Sequence, residues 1–250
     1  MPAKYARRAF FVLGLICCNS SLISGPPFLT DDPVTLARRS WELYLASQHT
    51  ISAGFAFGTL PHIEANYGAT RNLMIHVIVP LAYARPRGLP LQYGAGDIEL
   101  GFKLRFIKET REGLDVGIFP HIELPAGDSR RGLGGGHVQV FLPLWLQKSW
   151  GAWTTYGGGG YWINPGPGNR DYWMLGCEIQ RDLSRSLTVG AEIIHNTASA
   201  IGETDQTALN FGALVSVKKG QVIMFSAGRD IRGPNRFFAY AAYYWTWGPK

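Results

Sequence analysis

Between Asp97 and Phe106 the chain alternates charge and hydrocarbon. Asp97, Glu99, Lys103 and Arg105 occupy one parity, and Ile98, Leu100, Phe102, Leu104 and Phe106 the other. Successive side chains of an extended strand point to opposite faces, so this segment carries one strongly charged face and one wholly apolar face. The pattern recurs through most of the chain beyond residue 25. Trp41, Leu43 and Leu45 oppose Glu42 and Tyr44; Leu73, Ile75, Val77 and Val79 oppose Asn72 and His76; Val116, Ile118 and Ile122 oppose Asp115, His121 and Glu123. Val138, Val140, Leu142, Leu144 and Leu146 oppose His137, Gln139 and Gln147. Leu175 and Ile179 oppose Glu178, Val189 and Ile193 oppose Glu192, and Leu209, Phe211 and Val215 oppose Asn210. With weaker segments near 59–67, 152–163, 221–229 and 236–247 this makes about twelve strands, and no stretch keeps a helical period.

Alternation also describes a soluble β-sandwich. Connection lengths separate the two architectures. Short turns are expected at 68–71, 108–112, 148–151, 182–186 and 218–220, and longer loops at 49–58, 84–94, 126–135, 164–170, 196–206 and 230–235. Outer-membrane barrels have this rhythm, with short periplasmic turns, longer extracellular loops and an even strand number. Charged residues make up 17 % of the chain, against about a quarter in ordinary soluble domains. Yet no window reaches the roughly 18 apolar residues of a membrane helix. A strand-built membrane protein reconciles these facts, because its lipid-facing and lumen-facing residues cancel to a mean hydropathy near zero. Trp145, Trp150, Trp153, Tyr161, Trp162, Tyr172 and Trp173 crowd near strand ends as interfacial girdles would, although a soluble aromatic core would look similar.

The first residues have the form of a secretory leader. Lys4, Arg7 and Arg8 precede an apolar run from Ala9 to Cys18, and small residues follow over Asn19–Gly25. Residues 1–24 are assigned to the leader, with cleavage within 21–24; the run is too short for a spanning anchor. A lipoprotein reading at Cys17 or Cys18 meets the bulky Ile16. Export lowers the net charge from +6 to about +3, too little to argue for a nucleic-acid partner. It also leaves Cys177 without a disulfide partner. Residues 25–39 are expected as a periplasmic segment, 40–247 as the barrel and 248–250 as a tail.

The last strand alternates Phe237, Ala239, Ala241, Tyr243, Trp245 and Trp247. It resembles the aromatic C-terminal strand read by the outer-membrane barrel-assembly machinery, departing from it in the extra Gly248-Pro249-Lys250. Pro61, Pro80, Pro120 and Pro143 fit less easily, since a proline cannot donate to a ladder and a closed barrel has no edge.

Several blocks carry a family resemblance. They are Pro27-Phe28-Leu29-Thr30-Asp31-Asp32-Pro33, Glu42 on the first strand, Gly94 to Gly101, Leu124-Pro125-Ala126-Gly127-Asp128, and the glycine run between Tyr156 and Tyr161. Together they resemble the bacterial MetA-pathway of phenol degradation family over nearly all of the mature chain. The resemblance implies an outer-membrane barrel taking up aromatic or other apolar compounds.

Candidate chemistry is confined to the polar face. His62/Glu64 and His121/Glu123 each repeat Pro-His-Ile-Glu with both ligand types on one strand face. Four such groups could bind zinc if they converged across the barrel, or satisfy one another in a polar network. Lys103 and Arg105 are expected to pair with Asp115, Glu123, Glu178 and Glu192, giving a narrow, largely filled lumen. Gly157–Gly160 lacks the Lys-Ser/Thr of a phosphate loop and marks a curved strand, a close approach of another segment, or a lateral opening for apolar solutes. Gly127-Asp128-Ser129 is similar to one esterase motif, and Ser129 or Ser226 with a histidine would carry a lipid- or lipopolysaccharide-modifying hydrolase.

The sequence therefore predicts an all-β, closed, antiparallel up-and-down transmembrane barrel of about twelve strands in a bacterial outer membrane. It is read as a non-enzymatic channel or transporter without cofactor or metal, with a hydrolase or a non-conducting structural barrel as alternatives. Its expected partners are outer-membrane lipids, lipopolysaccharide, the assembly machinery and a small solute, with no nucleic acid. The expected lumen-lining residues are Glu42, His62, Glu64, His76, Asp97, Glu99, Lys103, Arg105, Asp115, His121, Glu123, His137, Glu178 and Glu192.

Overall fold

Strands with two unlike faces and no free edge are satisfied by closing the sheet on itself. A computed structural model describes residues 27–249; the leader, its cleavage region, Cys17, Cys18 and Lys250 lie outside the described residues. The strands are β1 (Trp41–Ser52), β2 (Phe55–Gly68), β3 (Leu73–Pro86), β4 (Gln92–Ala95), β5 (Ile98–Ile107), β6 (Asp115–Ile118) and β7 (His121–Leu124). There follow β8 (Gln139–Trp150), β9 (Trp153–Ile163), β10 (Tyr172–Asp182), β11 (Leu187–Asn196), β12 (Gln206–Lys218), β13 (Gln221–Arg232) and β14 (Phe237–Trp247). All pairings are antiparallel, and β1 meets β14 from Trp41↔Trp247 to Ile51↔Phe237, which closes the sheet. Both β4 and β5 pair with β3, and both β6 and β7 lie between β5 and β8. The fourteen segments therefore make the twelve strands of one closed barrel.

The prolines account for the two interruptions. Pro61 lies in the register shift of β2 between Thr59 and His62, and Pro80 sits beside it on β3. The β4/β5 break at Gly96 and Asp97 faces the same place, and the Gly96 amide donates to the Pro80 carbonyl at 3.0 Å. Pro120 lies in the β6/β7 break, and Pro143 on β8 stands opposite it, between the pairs Ile118↔Leu144 and His121↔Phe141. The missing donors are thus concentrated at two irregular spots rather than spread through the ladders. At one of them Gly160 of β9 faces Pro143, and a Cβ at 160 would lie 2.6 Å from the Pro143 Cα. In the glycine run, this position is one where the neighbouring backbone approaches closely.

The long connections at 125–138, 164–171 and 197–205 lie at the end opposite the termini. Three loops expected to be long are shorter. β1 and β2 continue to a turn at 53–54, and the connections at 87–91 and 233–236 are likewise trimmed by longer strands. Each carries a glycine with positive φ (Gly54 87°, Gly88 75°, Gly233 114°), which lets the chain reverse tightly.

Outward positions are hydrocarbon around the whole barrel: Leu45, Ile63, Val79, Leu100, Leu142, Leu175, Ile193, Phe211 and Phe225 are each 40–62 % exposed. Aromatics band both ends. Trp41 packs on Tyr67 (4.6 Å) and Trp247 (6.5 Å) near the termini, and Tyr161 on Trp173 (5.0 Å) at the loop end. Parity corrects part of the expected girdle: Trp145 and Trp162 are buried inside, with Tyr172 stacked on Trp162, because they share the inward parity of their strands.

The segment expected to lie outside the barrel does not. Residues 27–35 run into the lumen, where Phe28, Thr30, Asp32 and Pro33 are buried. Phe28 packs with Tyr44, Tyr156, Met224 and Tyr244 in the largest interior cluster. A second cluster of Phe119, Phe141, Trp145 and Trp162 fills the opposite wall.

Candidate functional site

Three parts make up the interior: a polar network on β1–β7, a clamp around the N-terminal segment, and a cavity between that segment and the 125–138 loop.

The network is built from inward positions of adjacent strands. Glu42 accepts from the Tyr244 hydroxyl (2.7 Å) and from Asn66 (3.4 Å), and Asn66 donates to Glu64 (2.8 Å). His76 bridges Asn66 Oδ1 (2.7 Å) and Glu99 Oε1 (2.8 Å), and His121 lies 3.8 Å from Glu99. His62 is turned to the Thr59 hydroxyl at 2.6 Å. His62, Glu64 and His121 therefore face different neighbours, and the described residues hold no group of three or more His, Cys, Asp or Glu placed for a metal ion.

The clamp was not legible from strand parity. Lys103, expected to pair with strand carboxylates, instead donates to Asp31 (2.8 Å) and Asp32 (3.3 Å) of the N-terminal segment and lies 5.0 Å over the Phe119 ring. Arg105 does take an expected partner, Asp115, at 3.5 Å. Glu192 accepts the Leu29 amide (2.9 Å) and the Thr30 amide (2.8 Å), and Asn210 braces it at 2.6 Å. The Ser226 hydroxyl donates to the Pro27 carbonyl at 2.6 Å. Glycines provide the seat. A Cβ at Gly190 would lie 2.7 Å from Phe28 Cζ, one at Gly212 3.0 Å from the same ring, and one at Gly117 2.9 Å from Pro33 Cβ. Gly176 is likewise blocked by Thr30. Inward glycines on neighbouring strands were the available sequence signal, because an empty face inside a narrow barrel requires an occupant.

Other expected lining residues take different roles. Asp97 accepts the amides of Gly127 (2.9 Å) and Gly135 (2.6 Å), which ties the 125–138 loop to the barrel mouth, and Leu133 packs on Ala82 and Ala84. His137 is exposed on that loop and does not line the lumen, since β8 begins only at Gln139. Glu178 is fully buried, and among the described residues neither carboxylate oxygen has a hydrogen-bond partner; Gln147, Tyr156 and Glu178 follow one another across β8, β9 and β10, each with polar atoms unpartnered among those residues.

The cavity measures about 500 Å³ and is bordered by residues 132–135 of the 125–138 loop. Glu64, Asp97, Glu99, Glu123 and His62 line it together with Phe28, Phe57 and Tyr240. Its floor is the N-terminal segment and one wall is the irregular Pro80/Gly96 spot.

Solved structures share this fold. The COG4313 outer membrane channel from Pseudomonas putida F1 superposes with a TM-score of 0.71 at 16 % identity, over 86 % of this chain and 98 % of that one. The KdgM porin in complex with disordered oligogalacturonate gives 0.56 at 8 % identity, over 81 % and 98 %. The translocator domain of the autotransporter NalP from Neisseria meningitidis gives 0.55 at 9 % identity, over 85 % and 90 %. No protein-family model matches the chain, and neither does any curated protein sequence.

Proposed function

We propose that the chain is an outer-membrane channel or transporter for small solutes, exported by its leader and inserted by the barrel-assembly machinery. The observation that carries this reading is the contrast between the two sides of the closed sheet. Hydrocarbon covers the outside between two aromatic bands, and the inside holds charged groups and a cavity. A continuous apolar surface of this extent is unfavourable in water and suited to lipid. Barrels of similar fold include an outer-membrane channel and a porin, which supports the same reading.

Aromatic or apolar solutes are the class suggested by the family resemblance, and the rings around the cavity agree with it. Passage is through a narrow lumen, because side chains and the N-terminal segment occupy most of the interior. Neither serine of the hydrolase alternative is paired with a histidine among the described residues: Ser129 is exposed on the loop, and the Ser226 hydroxyl is committed to Pro27.

Reconstitution into planar bilayers tests the reading. Discrete current steps, together with heat-modifiable migration of the membrane-extracted protein, are the expected result. A protein recovered from the soluble periplasmic fraction would refute the membrane placement. A folded, inserted barrel that passes neither current nor labelled phenol would favour the structural alternative.

A further inference from the structure

We infer that the lumenal cavity is a binding site for an organic cation, a small solute with an amine group and an aromatic or apolar body. Among the described residues, four carboxylates line the cavity and no lysine or arginine does. Lys103 and Arg105, on the inward face of β5, are already paired with Asp31/Asp32 and Asp115. Three of the four carboxylates are engaged: Glu64 by Asn66, Asp97 by two backbone amides, Glu99 by His76. Glu123 faces the same space and has neither a hydrogen-bond donor nor an ion-pair partner among the described residues.

A second, independent observation points to the same ligand chemistry. Asn210 lines the cavity, is 1 % exposed, and leaves its Oδ1 without a partner among the described residues. Its amide nitrogen is committed to Glu192 and Ser226, so the free atom is an acceptor. The Tyr240 hydroxyl on the adjoining wall is also unpartnered. Among the described residues the site therefore offers an unpaired carboxyl group and neutral acceptors, and no lysine or arginine. Rings of Phe28, Phe57 and Tyr240 supply apolar surface and π faces for a cation with a hydrocarbon body. A volume near 500 Å³ lies within the roughly 300–1,000 Å³ of small-molecule sites. An anion would meet four carboxyl groups, whereas an amine can take the proton of Glu123 or pair with its carboxylate, which a neutral phenol cannot do.

This inference names the solute class for the channel reading and rests on it for passage, whereas binding is measurable by itself. Tyramine, 4-ethylphenol and 4-hydroxyphenylacetate have similar bodies with positive, neutral and negative ends. Calorimetry on the full chain purified in detergent is expected to show tyramine bound about tenfold or more tighter than 4-ethylphenol, as a charged hydrogen bond in place of a neutral one implies. The anion is expected to bind most weakly. Glu123→Gln should remove the advantage of tyramine, and Glu123→Lys should shift preference toward the anion, with heat-modifiable migration confirming that each variant is folded. Equal affinities in the unaltered protein, an anion preference, absence of tyramine binding, or a folded Glu123→Gln variant with unchanged preference would each overturn the inference. Ion conductance of the same preparation separates the two readings. Current without tyramine preference removes the site and keeps the channel; tyramine binding without current keeps the site and removes the channel.

Discussion

Replacing Lys103 by methionine tests what holds the N-terminal segment inside the barrel. Methionine keeps most of the stem's volume and removes the charge that Asp31 and Asp32 face at 2.8 and 3.3 Å. Lys103 is 4 % exposed and Asp32 0 %, so water cannot reach the Asp32 side of the pair while the segment stays in place, although the Asp31 side chain is 20 % exposed. Breaking a buried ion pair from one side costs about 3–5 kcal/mol, because the remaining charge is left desolvated. That corresponds to roughly two to four powers of ten in the equilibrium between the docked and the released segment. The expected outcome is faster hydrogen exchange at the Leu29 and Thr30 amides, now bonded to Glu192, and a larger single-channel conductance in planar bilayers. The triple change Lys103→Met, Asp31→Asn, Asp32→Asn removes the charges together and is expected to restore slow exchange. Unaltered exchange and conductance in the folded single variant would refute the clamp. A triple variant as open as the single one would show that charge is not the reason.

Gly190→Val places a side chain where Phe28 sits and should release the segment without unfolding the barrel; limited proteolysis near residue 30 reads this directly. On the outer face, Leu144→Arg puts a guanidinium on a 47 %-exposed hydrocarbon position and should destabilise the inserted barrel by about 2–4 kcal/mol if it lies near the bilayer midplane, measured by denaturant unfolding from liposomes. Asp97→Asn weakens two charge-assisted bonds to the 125–138 loop, worth about 1.5–3 kcal/mol each, and exchange protection at Gly127 and Gly135 should fall. Cys177 points outward from β10 and is exposed; in vesicles it should react with bilayer-soluble thiol reagents and resist membrane-impermeant ones, and equal reactivity toward both would argue against lipid contact.

Much of the molecule was legible as parity. Glu42, His62, Glu64, His76, Glu99, Lys103, Arg105, Asp115, His121, Glu123, Glu178 and Glu192 all stand at the inward positions that alternation assigned. Parity is local, set by the pleat of each strand, and needs no knowledge of neighbours. The same rule, applied more strictly, would have placed Trp145 and Trp162 inside rather than in a girdle. Strand ends were less legible. At 49–58 polar and aromatic residues continue the ladder to Gly54, because backbone pairing with the next strand extends a strand after its hydrophobic signal fades.

By itself, then, the sequence determined which side of the wall most strand residues occupy and that the wall is a sheet of alternating strands. Only the tertiary structure decided what meets inside it. Lys103 reaches Asp31 across 72 positions of sequence and Leu29 reaches Glu192 across 163, contacts that exist because closure brings β5 and β11 to one lumen. Whether a charged inward face pairs with a strand across the barrel, a returning N-terminal segment or a solute depends on the width of that lumen. Width follows from how twelve strands close, and alternation along a single strand carries no information about closure.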